Sequence, residues 1–198
     1  VLYVVITFPP VMAGMVAKTI CSCVYVSDRT LNSVVEKELQ VFPGLANAAI
    51  TLDETDSTVT AKVLWRKSTA IYRKGLGCTL LATRTEDEIR RQPITLPPSP
   101  AINQDSLWWP MGDKTDSVLL PKVKNDVINL ALEEAFAEKD AKKAVHTHAI
   151  VVVYDGQIIG EKYAPGFDKH SKLMGWSMAK SITNALVGVL VNEGKLKT

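Results

Sequence analysis

From Ile182 to Val191 the chain carries no charge, and residues that start and stop helices stand on either side of this run. Ser177-Met178-Ala179-Lys180-Ser181 precedes it, and Asn192-Glu193-Gly194 follows. The pattern predicts a helix with Ser177 in its first turn and Gly194 ending it in a left-handed cap. A helix apolar on nearly all sides predicts burial, so other elements are expected to cover it. On that reading a carboxylate at Leu186 would be buried and disruptive.

Residues three apart on a helix share a face, which places Ser177 beside Lys180. A serine hydroxyl attacks poorly at neutral pH, and a neighbouring amine kept neutral by burial can take its proton. The positive end of the helix dipole favours the alkoxide that develops. Blander readings compete. Ser177 fits a helix-capping serine and Lys180 a solvated lysine. The helix also fits a plain core helix, although Lys180 on its first turn then lacks a use. Gly175-Trp176-Ser177-Met178-Ala179 nearly fits a nucleophile elbow, but that turn needs a buried strand running into it, and Pro165 to Lys172 makes a poor strand. A Ser-His-Asp arrangement using His170 lacks any residue that orients the histidine.

At 198 residues the chain is long enough for one ordinary domain, or a small one plus an extension. A formal charge of +2 leaves basic and acidic residues matched, which speaks against nucleic acid as a partner. Arg90-Arg91 and Lys142-Lys143 are short solvated pairs. Val1 to Phe8 is apolar but too short to span a bilayer, and Pro9-Pro10 is expected to break it. It fits the end of a signal peptide or membrane anchor, or a buried first strand. The abrupt stop after Lys195-Leu196-Lys197-Thr198 reads as a fragment of a longer protein.

Cys21, Cys23 and Cys78 are the only cysteines. A bond from the Cys21/Cys23 pair to Cys78 and three free thiols are both open readings. Cys21 to Val26 fits a short strand or the end of a helix running from Val11. Thr30 to Leu39 reads as a short amphipathic helix capped by Ser27-Asp28, and Phe42-Pro43-Gly44 as a turn. Ala49–Leu52, Thr58–Trp65, Ala70–Arg73 and Cys78–Leu81 read as an antiparallel meander. Glu86 to Pro110 reads as a proline-rich linker, closed by Trp108-Trp109, a pair that anchors a loop or walls a substrate pocket. A helix is predicted over Pro121–Lys139, with Val123, Val127, Leu130 and Ala131 on its apolar stripe and Glu133 and Glu134 in solvent. His146 and His148 would share one face of a strand, but a third metal ligand is not identifiable. Ala149–Val153, apolar on both faces like a central strand, pairs through Tyr154-Asp155-Gly156-Gln157 with Ile158–Tyr163.

The region from Ala149 to Leu196 resembles the start of the serine β-lactamase and penicillin-binding-protein superfamily. The pieces that match are the Ile150–Val153 strand, the Asp155-Gly156 turn, the second strand, Trp176-Ser177-Met178-Ala179-Lys180-Ser181 opening a helix, and Glu193-Gly194-Lys195-Leu196. The branch it is most similar to is the class C-type hydrolases, which include esterases and 6-aminohexanoate-dimer hydrolases. The resemblance implies an acylated serine at Ser177 and a base at Lys180, with an ester or amide as substrate and no cofactor or metal. It also implies an α/β chain: a mixed N-terminal extension over residues 1–110, then the truncated start of a β-lactamase-like domain over 111–198, an antiparallel sheet covered by helices. The segments Lys18–Arg29 and Arg73–Leu80 resemble the extension some of these hydrolases carry, and on that resemblance Cys21 is the partner of Cys78. A periplasmic or secreted setting follows, with a membrane anchor upstream of the chain. The family's Tyr-x-Asn and Lys-Thr-Gly motifs have no counterpart here; both belong beyond the point where the chain stops. A non-catalytic binding or sensor relative is the alternative the resemblance leaves.

Overall fold

The apolar N-terminal stretch is helical throughout. In the computed structural model, which describes residues 2–41, 44–98, 101–115, 124–140 and 143–197 (for 2–6 and 41, the backbone only), α1 spans Leu2–Cys21 and passes through Pro9 and Pro10 without ending. The expected break does not occur. Proline already has a helical φ, so the loss at this point is of N–H donors, not of backbone direction. The half of α1 beyond the prolines is held by packing: Ala13, Val16, Ala17, Ile20 and Cys21 are fully buried. A wider helical turn, Ser22–Val26, continues it, so the reading of this segment as a strand is replaced by the helical one.

The helix α2, Leu31–Lys37, starts at Thr30, whose side chain accepts the Ser33 N–H; the cap lies nearer the helix than the expected Ser27-Asp28. Four strands follow: β1 Ala49–Asp53, β2 Thr58–Val63, β3 Arg66–Arg73 and β4 Gly77–Leu80. They form the predicted meander in the order β1-β2-β3-β4, each antiparallel to the next. The chain is thus a mixed α/β protein with a four-stranded antiparallel sheet. Val59 pairs with Ala70 and Ala61 with Ser68, placing one face of β2 and β3 against α1. Val16, Ile20, Val34, Leu39, Leu45, Val59 and Ala70 make the core. A disulfide between Cys21 and Cys78 ties the end of α1 to β4.

The charged stretch read as the start of a linker forms a short helix, α3, Glu86–Arg90. Thr85 accepts from the Glu88 N–H while the Glu88 carboxylate accepts from the Thr85 N–H, a reciprocal cap. Arg73 donates to the Ile89 carbonyl at 2.9 Å and Arg90 to the Asp56 carbonyl at 2.6 Å, fastening α3 to the sheet. Residues 93–98 are without regular structure, as their prolines require.

Two compact units result: residues through 92 together with those from 172 on, and residues 93–171. This partition differs in kind from a cut at residue 110, since the serine segment groups with the N-terminal residues. In the second unit, α4 spans Asn125–Phe136 and the hairpin joins β5, Ala149–Tyr154, to β6, Gln157–Tyr163. Asp155 and Gly156 turn it with positive φ, as read from the sequence. Pro121 and Val123 lie outside the described residues, as do Phe42 and Pro43. The covered stripe of α4 is Ile128, Leu132 and Phe136; Val127 and Leu130, expected inside, are exposed. One hairpin can cover only a narrow stripe. Gly160 permits the approach, because a Cβ there would stand 2.7 Å from Ile128 Cγ2. The two-stranded sheet leaves Val151 and Val153 exposed, so β5 is not covered on both faces as expected of a central strand.

Candidate active site

The last helix, α5, covers Met178–Asn192, and Gly194 ends it with φ of 67°, as predicted. Ser177 occupies the capping position but makes no side-chain cap hydrogen bond. Its Oγ instead accepts from Lys180 Nζ at 3.1 Å. The juxtaposition expected from the spacing is present, and the capping role is not.

The turn into the helix is tight. Met178 N–H donates to the Gly175 carbonyl at 2.8 Å, Ala179 to Trp176 at 3.1 Å and Lys180 to Ser177 at 3.0 Å. Among the described residues the Ser177 N–H has no backbone partner, so it remains available as a donor. Trp176 sits at φ of 43°, in the left-handed region that a bulky side chain rarely occupies. Such strain clusters at functional turns. Nothing in the sequence signals it: glycine is the usual marker of positive φ, and here the glycine is one residue earlier.

Burial departs from the sequence reading. Ser177 and Lys180 are exposed, and α5 has no buried residue; Leu186 is 61% exposed and Ile182 65%. The described residues therefore do not surround the Lys180 amine with apolar cover. The elbow reading fails on geometry, because residues 171–175 form no strand. His170 belongs to the 93–171 unit, where its backbone N–H donates to Asp168 Oδ1 at 2.9 Å. That contact and the Ser171 hydroxyl hold the Asp168 carboxyl below the usual carboxylate range. His146 and His148 do not lie on a strand: His146 has φ of 53°, β5 begins after them, and His148 stacks on Phe167 at 4.4 Å. Among the described residues no cluster of three His, Cys, Asp or Glu could hold a metal. Trp108 receives the Lys114 ammonium over its ring at 4.2 Å, within a loop of the second unit.

One neighbour of the serine turn escaped the sequence reading. Cys23, buried and free, contacts Met174 Sδ at 4.0 Å, three residues before Ser177. Burial, and then the Glu38 carboxylate, push its thiol up to about 11, against the opposing pull of Arg29. No family model matches the chain, nor does any curated protein or solved structure.

Proposed function

We propose that the chain carries the acylating pair of a serine hydrolase that acts on an ester or amide. The observation behind the reading is the 3.1 Å hydrogen bond from Lys180 Nζ to Ser177 Oγ at the start of α5. Ser177 attacks the substrate carbonyl, Lys180 accepts its proton once bound substrate covers its exposed amine, and the Ser177 N–H is one oxyanion donor. The β-lactamase-like fold is part of this reading, resting on the resemblance of residues 149–196. So is a periplasmic or secreted location, which the Cys21–Cys78 bond supports, since disulfides persist in oxidising compartments.

Deacylation needs a second base, and the tetrahedral intermediate needs a second donor. The family pattern puts both after the serine helix. Residues 1–198 alone are therefore expected to show no measurable hydrolysis of p-nitrophenyl esters, while a longer chain containing them hydrolyses short-chain esters. Fluorophosphonate labelling followed by intact-mass analysis tests the assignment. The label belongs on Ser177, disappears in Ser177→Ala and falls nearly as far in Lys180→Ala, because the pair acts as a unit. A label on another residue, or full esterase activity in the alanine variant, overturns it. Exposure of the pair favours one alternative, a non-catalytic binding or sensor protein. An acyl adduct on Ser177 of the longer chain that does not decay over hours identifies that case.

A further inference from the structure

The first unit holds a cleft of about 960 Å³, at the upper end of the range typical of small-molecule sites, roughly 300–1,000 Å³. One wall is α1, the opposite wall is the ends of β3 and β4, and Met174, Gly175 and Trp176 close a third side. Its surface is mainly apolar, supplied by Val11, Met15, Leu80 and Met174 among others. At Gly14 a Cβ would meet Leu80 Cδ2 at 3.0 Å, so glycine at that turn keeps the floor open. Among the described residues that line it, the charged ones are Lys18 and Lys67, and none is a carboxylate.

The two ammonium groups differ. Lys18 Nζ donates to the Cys78 carbonyl at 2.6 Å and to Ser22 Oγ at 3.3 Å, which leaves one of its three N–H donors. Desolvation of that ammonium lowers the Lys18 pKa below the ordinary lysine value, although much of the residue reaches solvent. Lys67, exposed on β3, has no hydrogen-bond or ion-pair partner among the described residues. An apolar trough with two cations and no anion selects a ligand with a long hydrocarbon tail and a compact negative head.

The geometry points to a binding site for a free aliphatic carboxylate: the chain lies along Met15, Leu80 and Met174, and the carboxylate meets Lys67 and the remaining donor of Lys18. The inference is separate from the reading of Ser177 and needs no catalysis. Calorimetric titration of the 198-residue chain with decanoate below its micelle concentration tests it, with decylamine and decanol as comparison ligands. Decanoate is expected to saturate one site, decanol to bind at least tenfold more weakly, and decylamine not to bind. Lys67→Glu and Val11→Asp each place an anion in the cleft at an exposed position, so both variants keep the fold by circular dichroism. Each is expected to weaken decanoate at least tenfold. Leu186→Asp, on the exposed face of α5, leaves the affinity unchanged. Failure of decanoate to saturate, equal binding of decylamine, or unchanged affinity in both cleft variants overturns the proposal. Loss of binding in Leu186→Asp does so too, by placing the hydrocarbon on α5 instead.

Discussion

The two long apolar helices of the first unit meet opposite fates. In α1 the residues Ala13, Val16, Ala17 and Ile20 are fully buried, whereas α5 exposes Ile182, Leu186, Val189 and Leu190. The α5 sequence read as a buried helix and the start of α1 as a leader or a first strand; the span from Thr7 through Val26, which joins α1 to the helical turn after it, is long and apolar enough to cross a membrane, although half of it is buried here. What separates them is a partner. The strands β2 and β3 present Val59, Ala61 and Ala70 to α1, and a disulfide closes the contact. No described element offers α5 a comparable face. Hydrophobicity states that a surface gains by being covered; a second surface of matching shape decides whether it is.

The sharpest way to break this contrast is a charge on each helix. Ile20→Asp buries an unpaired carboxylate at a fully covered position, at a cost of several kcal/mol. The first unit is expected to lose its cooperative transition in thermal circular dichroism. Next in size is the staple. Replacing Cys21 and Cys78 by alanine frees a loop of 57 residues, and the chain-entropy relation puts the loss at about 4 kcal/mol. Urea unfolding should show the midpoint fall, and a midpoint unmoved by reduction would mean that packing alone holds α1.

A smaller effect concerns Cys23, between the two helices in contact terms. With its thiol pushed up to about 11, from a usual value of 9.0, it holds about a hundredfold less thiolate at pH 7.5 than a free cysteine. Iodoacetamide is expected to modify it at least that much more slowly in the native chain than in urea. The folded state keeps the Cys23 proton more tightly, so the contribution of this thiol to stability is complete below about pH 9 and is lost as the pH rises through about 11. Equal alkylation rates in the two states would mean that Cys23 is not buried against Met174. The smallest effect is on α5. Leu186→Asp should change stability by less than about 0.5 kcal/mol, as at other exposed positions. A large loss of stability would show that α5 is covered in solution.

Much of the fold was legible because its signals are local. The alternation of Val59, Ala61 and Val63, the glycines around Leu76 and the Asp155-Gly156 turn each act over a few residues. The site was legible in the same way, since a spacing of three on a helix brings Ser177 and Lys180 together wherever that helix lies. The readings that changed depend on neighbours distant in sequence. Thr85 to Glu88 looked like a charged linker, yet it is a reciprocal cap whose helix is held by Arg73 and Arg90. Pro9-Pro10 looked like a break, yet α1 continues across it while its later half packs on the sheet.

The sequence by itself determined the four strands of the meander and their order, the hairpin turn, the helix after Ser177, and the pairing of hydroxyl and amine at the start of α5. These follow from backbone geometry, whose range is one or two turns. Only the tertiary structure decided which cysteine bonds to Cys78, that Trp176 takes a left-handed conformation, that a cleft with two lysines forms beside α1, and that α5 stands uncovered. Each of those depends on which surfaces meet, and an apolar side chain carries no record of the surface that will cover it.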